Sequence, residues 1–155
     1  MSAAAHDPRD PAVLLKGALT TGVANAIING AIQAYLMAGH GPVALTVDAI
    51  GGDEHTVMGA AVMLATLLAM ILTAVGHATL KAPKIPFVPA GLWLVLKHGL
   101  FAFGAIVALS ILWQRLAGTI VVGVPAAVSI LALVAGIVAA ITHAMTIRSS
   151  VKETP

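Results

Sequence analysis

Four polar side chains recur at every fourth position of an otherwise apolar stretch near the N-terminus: Thr21, Asn25, Asn29 and Gln33. This spacing places them on one face of an α-helix, called the polar ridge below. Aligned hydroxyl and amide groups can line a narrow pathway or a pocket for a small polar solute. They can equally hydrogen-bond to a neighbouring helix, and the sequence leaves both interpretations open.

Two histidines, His77 and His143, lie at matching places near the ends of two apolar stretches. Each precedes a basic side chain by four or five residues, which puts both imidazoles about 6 to 8 Å inside their helix ends. Imidazoles at this depth can gate a pathway, relay protons or serve as the two axial ligands of haem b. Hydrogen bonding to neighbouring helices or to interfacial water is the simpler interpretation, and we favour it over haem. For His98, which follows Lys97, we expect a side chain that reaches to the membrane surface.

A further cluster of ionisable residues falls in a predicted loop and comprises His40, Asp48, Asp53, Glu54 and His55. Its spacing matches no metal-binding motif, so we expect a solvated loop rather than a metal site. All six carboxylates lie outside the apolar stretches, and the chain has no cysteine, no phosphate-binding glycine loop and no hydrolase motif. These absences argue against buried-carboxylate proton relays and make an enzyme the less favoured class.

The composition indicates which elements must position these groups. Hydrophobic residues make up 59% of the 155-residue chain and charged residues 9%, whereas soluble domains contain about 25% charged residues. Four apolar stretches are each long enough to cross a bilayer, which takes about 20 residues. We therefore predict an all-α integral membrane protein, a single membrane domain over residues 1–155 folded as a four-transmembrane-helix bundle. The predicted spans are residues 11–38, 55–80, 89–116 and 119–147, with an outer loop at 39–54 and an inner loop at 81–88.

Capping residues and prolines determine the predicted helix ends. Asp10 before Pro11 is a favourable helix start, because the carboxylate caps free N–H groups and proline lacks one. Three prolines between residues 83 and 89 end the second span. We also expect a short interfacial helix within 43–50 and a frayed tail from Ser149 onward.

Small residues form a stripe beside the polar ridge and a second stripe on the last span. The first comprises Gly22, Ala26, Gly30 and Ala34, and the second comprises Ala132, Gly136, Ala140 and Ala144. Small side chains let two helix backbones approach closely. The sequence leaves open whether these small-residue stripes pack within one chain or across a dimer interface.

The second half of the chain is similar to the first. An offset of 66 aligns residues 60–78 with 126–144 and gives nine identities in 19 positions, including His77 with His143. An offset of 81 aligns the first span with the third and gives five identities in 20 positions, including Gln33 with Gln114. A shared alanine content does not explain the histidine pair. The pattern therefore favours two duplicated helical hairpins, and Gln114 joins the candidate pathway residues.

Basic residues are distributed unevenly between the two sides of the predicted bundle. Seven of the eight lysines and arginines lie on the side of the termini, and only Arg115 lies on the other side. Because basic flanks are retained in the cytoplasm, we expect both termini to be cytoplasmic and the protein to be integral to a cell (plasma) membrane. The basic side suits anionic lipid headgroups and not nucleic acid.

The favoured function is a small channel or transporter, or a subunit of one, for a small polar solute or ion. The polar ridge and Gln114 would line its pathway, and His77 and His143 would gate it or relay protons at the inner end. The alternative is a non-catalytic accessory or assembly subunit of a larger membrane complex, with the ridge as its docking surface. A bis-histidine module that binds haem b for electron transfer comes third, and otherwise no cofactor is expected. We also expect a homo-oligomer or a larger membrane complex, because four helices enclose little space.

Overall fold

Four long helices dominate the computed structural model, which describes residues 7–47 and 56–152. The elements are α1 (Pro11–Leu36), β1 (Val43–Leu45), α2 (Val57–Thr79), α3 (Leu92–Ala117), β2 (Ile120–Val122) and α4 (Val124–Ser150). Each helix is long and apolar enough to cross a membrane, and the third candidate span also includes a wide turn, Phe87–Gly91, before α3. The prediction of a helical chain with four helices of membrane-spanning length is confirmed.

Side chains at two helix starts explain where those helices begin. The Asp10 carboxylate accepts hydrogen bonds of 2.9 and 3.3 Å from two free N–H groups in the first turn of α1. At the start of α2, Thr56 Oγ1 accepts a hydrogen bond of 3.1 Å from Gly59 N. Both caps satisfy N–H groups that have no carbonyl partner within the helix. The helix start predicted at Pro11 is confirmed.

β1 and β2 form a two-stranded antiparallel sheet in which Ala44 lies opposite Val121. The sheet joins the segment after α1 to the segment after α3, at the end of the bundle that is called the outer end below. Its β-branched side chains favour the extended conformation, and each strand satisfies backbone groups of the other.

The sheet corrects two predicted boundaries. The interfacial helix expected within 43–50 is wrong where β1 lies, and residues 48–50 are outside the described part of the chain. The fourth span does not begin at Thr119, because β2 comes first and α4 begins only at Val124. Pro125 then lies in the first turn of α4, where backbone N–H groups have no carbonyl partner within the helix, so the proline costs no hydrogen bond.

The helices pack in the spatial order α1, α4, α2, α3. α4 and α2 are the central neighbours, α1 packs along α4, and α3 packs along α2. α1 makes no extended contact with α2 or α3. A cleft therefore separates α1 from α2, and residues of α4 lie at its base.

Small side chains form the contact between the two central helices. The almost fully buried residues there are Ala61, Ala65 and Ala69 of α2 and Ala127, Leu131, Ala135 and Ala139 of α4. Because most of these residues are alanines, the two helix backbones can approach closely. Many large apolar side chains lie on the outside of the bundle, among them Leu19, Ile71, Leu100 and Leu133.

The two small-residue stripes pack against each other where α1 meets α4. A Cβ atom added at Gly22 would lie 2.9 Å from Gly136 O. One added at Gly136 would lie 3.1 Å from both Gly22 O and Ala26 Cβ, and one added at Gly30 would lie 3.2 Å from Ala132 Cβ. Of the two arrangements that the sequence allows for the stripes, these contacts show packing within one chain.

At the opposite end, called the inner end below, the segment at the end of α4 is tied to the loop after α2. Ile85 N donates to Ser150 O at 3.0 Å, and Lys152 N donates back to a carbonyl of the loop. The Arg9 guanidinium donates to Val151 O. The expectation of a frayed tail is therefore wrong as far as residue 152, while the last three residues are outside the described part of the chain.

Candidate functional site

The polar ridge borders the cleft between α1 and α2. Its four side chains are half-buried, beside the stripe that packs on α4. Thr21 lines a cavity at the inner end of the cleft, and Gln33 lines a second cavity at the outer end. Asn25 and Asn29 lie between them on the same helical face. The four residues thus form a row on one face of α1 that leads from one cavity to the other.

The inner cavity has a volume of about 380 Å³ and is lined by residues of α1, α2 and α4. Its polar members are Thr21, Thr79, Lys81, His143 and Thr146. The hydroxyl groups can donate and accept hydrogen bonds, and the amine adds a positive charge. The cavity can therefore solvate a small polar molecule at this end of the cleft.

His143 reaches from α4 to α1 at the edge of the inner cavity. Its Nδ1 lies 3.3 Å from Thr21 Oγ1. A Cβ atom at Gly17 would lie only 2.6 Å from His143 Nε2, so the ring occupies space that a glycine leaves free on α1. This contact puts an ionisable side chain at the junction of two helices and the cavity.

The outer cavity has a volume of about 430 Å³, and its polar members are Gln33, His40 and Thr56. The remaining lining residues are apolar and come mainly from α1 and α2. His40 is also the one described member of the ionisable loop cluster, since the other four members lie outside the described residues. Within residues 7–47 and 56–152, no group of three or more histidine, aspartate or glutamate side chains is placed to hold a metal ion.

The amides of the ridge bond to their own helix. Asn25 Nδ2 donates to Thr21 O at 2.9 Å, and Asn29 Nδ2 donates to Asn25 O at 3.0 Å. Among the residues that the structure describes, neither amide bonds another helix, so the small-residue stripes rather than the amides hold α1 on α4. The Oδ1 atoms are left to accept hydrogen bonds from a solute, from water or from another protein.

His77 lies outside the cleft. Its Nε2 lies 3.0 Å from Ile85 O, and its ring meets Phe87 edge to face with centroids 5.5 Å apart. The side chain is buried against the inner loop and the turn before α3. His77 and His143 keep matching positions on α2 and α4, but they contact different segments and not each other.

Gln114 lies at the outer end, away from the row. Its Nε2 donates to Thr119 Oγ1 at 2.9 Å, and the Thr119 hydroxyl donates to Thr46 Oγ1 at 3.3 Å. These bonds tie the end of α3 to the segment after β1. Gln114 lines neither cavity of the cleft, so the structure separates it from Gln33, its partner in the sequence alignment.

His98 is a buried residue whose place the sequence analysis predicted wrongly. It was expected at the membrane surface, but only 2% of the side chain is exposed, and Nδ1 lies 2.9 Å from Thr73 Oγ1 of α2. Thr146 Oγ1 of α4 donates to the same Thr73 hydroxyl at 3.5 Å, so three helices meet here. The sequence feature that could have predicted this burial is Thr73, which interrupts the alanine face of α2 and needs a hydrogen-bond partner in an apolar interior.

The cleft offers hydroxyl groups, amide oxygens, two imidazoles and an amine, and no carboxylate of the described residues lines its two cavities. Groups of this kind can bind or pass a small polar solute by replacing part of its hydration shell. A comparison of the chain with protein-family models, with curated proteins and with solved structures found no match.

Proposed function

We propose that the protein is a small membrane transport protein, a channel or transporter or a subunit of one, whose pathway is the cleft between α1 and α2. The observation that carries this proposal is the row of polar side chains that runs between the two cavities. Polar groups inside a membrane are costly unless they face protein or a water-filled cavity. A cleft bordered by four such groups in a row is the arrangement that a pathway requires.

The row covers much of the thickness of a bilayer. From Thr21 to Gln33 the helical rise is about 18 Å, against about 30 Å for the hydrocarbon core. Lys81 and Thr79 in the inner cavity, and His40 and Thr56 in the outer cavity, extend the polar surface at both ends. A solute in the cleft would meet a polar side chain about every 6 Å along the row.

The packing order supports an origin in two duplicated hairpins. α1 packs on α4 as α3 packs on α2, and the strands that follow α1 and α3 pair with each other. The first helix of each hairpin therefore contacts the second helix of the other, as a two-fold relation between the halves requires. In this proposal the hairpins diverged at the polar ridge, because Asn25 and Asn29 align with Ile106 and Ser110.

The proposal places the inner end and both termini in the cytoplasm and uses a second copy, or a larger complex, to close the cleft. The basic residues at the inner end support this orientation. The inner cavity is only partly enclosed. A second copy packed across its open side would complete the wall of the pathway.

An accessory or assembly subunit is the second candidate. The free Oδ1 atoms of Asn25 and Asn29 favour it, because a helix of a partner protein that entered the cleft could donate hydrogen bonds to them. In that case the cleft would be a docking groove and would not conduct.

Haem binding has less support from the geometry. His77 Nε2 lies against Ile85 O and His143 Nε2 lies against Gly17, so the two rings present these nitrogens to different segments. Both rings would have to turn before they could share an iron atom. A Soret absorption band in the purified protein would support the haem interpretation, and its absence would remove it.

Cysteine accessibility tests whether the cleft holds water, and the natural chain has no cysteine. In reconstituted vesicles, we expect a membrane-impermeant thiosulfonate to modify Asn25→Cys and Asn29→Cys, because thiolates form only where water reaches them. Val23→Cys and Ile27→Cys are matched controls on the outward face of α1, where the native side chains are 59% and 67% exposed and lipid should shield them. Modification of the two controls alone, or of none of the four variants, would contradict the proposal.

A further inference from the structure

A chain of hydrogen bonds determines which ring nitrogen of His98 carries the proton. Thr73 Oγ1 donates to Ala69 O at 2.7 Å, so the single hydrogen of this hydroxyl is used. With its hydrogen directed to Ala69 O, Thr73 Oγ1 is an acceptor for His98 Nδ1, which lies 2.9 Å away, and this arrangement indicates a proton on Nδ1. Because a neutral imidazole carries one proton, Nε2 of His98 is a hydrogen-bond acceptor.

This Nε2 atom has no donor in the part of the chain that the structure describes. It is fully buried and makes no hydrogen bond, in a side chain that is 2% exposed. Buried polar atoms in native proteins almost always have a partner, which is another protein group, a water molecule or a ligand. The partner of Nε2 must therefore come from outside the described residues.

His98 lines a cavity of about 110 Å³ between α3 and α4. Apart from His98 and Thr142 the lining is apolar, and Phe101, Leu109 and Ile141 are three of its larger side chains. These three are 48% to 60% exposed on the outside of the bundle, so the cavity opens toward lipid. His98 lies six residues into α3, about 9 Å from the start of that helix.

We propose that this cavity binds the hydroxyl group of a membrane-soluble alcohol or phenol. The O–H group donates to His98 Nε2, while the hydrocarbon part lies against the apolar walls and extends into the bilayer. A water molecule offers the same donor, and Nε2 and Thr142 would give it two polar partners, the lower end of the two to four that hold a buried water, so the test below distinguishes the two occupants. The site is separate from the cleft between α1 and α2, so it does not depend on the proposed transport function.

The test uses the full chain in lipid nanodiscs with ¹⁵N-labelled histidine, and 4-hexylphenol and 4-hexylanisole as probes. The anisole keeps the hydrocarbon and the ring of the phenol but has no O–H group. We expect NMR to show the proton on Nδ1 of His98 and a saturable shift of the Nε2 signal with the phenol. Because the buried acceptor then stays unpartnered, the anisole should bind about tenfold more weakly. The signals are assigned by their loss in His98→Phe.

Two tryptophan variants of α4 locate the site. Ile141→Trp fills the cavity from its lipid side without touching the hydrogen-bond chain, so it should abolish the phenol shift. Leu133→Trp, at a position 62% exposed on the same helix and outside the cavity lining, should keep it.

Four results would overturn the proposal. They are a proton on Nε2 in the absence of probe, equal binding of phenol and anisole, a phenol shift that persists in Ile141→Trp, and an Nε2 signal that the phenol leaves unchanged, because water alone would then fill the cavity.

Discussion

The imidazole of His143 fits against α1 only because residue 17 is a glycine. An added Cβ atom would lie 2.6 Å from His143 Nε2, which is shorter than any normal contact. In Gly17→Ala the ring must move or the helices must separate, and we expect the free energy of unfolding in micelles to fall by about 1 to 3 kcal/mol. Gly104→Ala is the matched control, because its added Cβ meets nothing within 4 Å and alanine favours a helix. Equal thermal stabilities of the two variants would contradict this role of Gly17.

Protonation of His143 should make transport depend on pH. The ring faces Gly17 and Thr21 of α1 and shares the inner cavity with Lys81, and no described carboxylate lines that cavity. Imidazole changes its charge between about pH 5 and 8, and a second positive charge beside Lys81 repels cations. We therefore expect cation flux to fall as the pH drops through this range, and His143→Gln to flatten the profile. A flat profile in the unsubstituted protein would argue against a gate at this residue.

Single residues differ in how far the sequence predicts their surroundings. The Asp10 cap and the alignment of the polar ridge follow from local spacing, which the helical period determines. The burial of His98 depends on Thr73, 25 residues away on another helix, and no local pattern encodes that contact. Gln114 matches Gln33 in the alignment, but its actual partner is Thr119 in the segment after α3. Local chemistry was therefore predictable from the sequence, and the partners between helices were not.

Among the helices, α1 depends most on a single close contact. A Cβ atom at Gly22 would already lie 2.9 Å from Gly136 O, and a branched side chain needs still more space. Because α1 packs along α4 and has no extended contact with α2 or α3, Gly22→Ile should separate it from the bundle. We expect a loss of about 3 kcal/mol or more in the free energy of unfolding, measured by circular dichroism in micelles.

Val23→Ile is the control for this contact, since it adds bulk one position away on a side chain that is 59% exposed. It should leave the unfolding midpoint close to that of the unsubstituted protein. A midpoint for Gly22→Ile that equals the midpoint of Val23→Ile would contradict the glycine contact between α1 and α4.

The positions of the helices were predictable because apolar run length and proline spacing are local properties of the chain. The two strands were not, because three residues give too short a signal and the pairing joins segments that are distant in sequence. Only Val43 of the Val43–Leu45 stretch is β-branched, so without its partner strand the stretch has little local preference for an extended over a helical conformation. The same lack of a local signal moved the predicted start of the fourth span to Thr119, before β2.

For the whole molecule, the sequence predicted four spans but not which helix neighbours which. Matching small-residue stripes on α1 and α4 are equally consistent with packing inside one chain and between two chains. The structure shows the packing inside one chain, and that order leaves α1 and α2 apart with the polar ridge between them. The cleft therefore results from the order in which the helices pack, and the sequence predicted only the polar residues of α1 beside it.

Flux through reconstituted vesicles tests the central claim that this cleft conducts. The comparison is between the unsubstituted protein, the double variant Asn25→Leu with Asn29→Leu, and the control Val23→Leu with Ile27→Leu on the outward face of α1. Leucine keeps a similar volume but removes the amide oxygens from the row, so a polar solute loses two of the groups that replace its water.

With urea, glycerol, K⁺ and Cl⁻ as test solutes, the account predicts that the unsubstituted protein and the control pass at least one of them faster than protein-free vesicles. The asparagine variant should lose that flux. Flux no greater than in protein-free vesicles, or undiminished flux in the asparagine variant, would contradict the account. Undiminished flux together with the loss of a co-purifying partner would favour the accessory subunit instead.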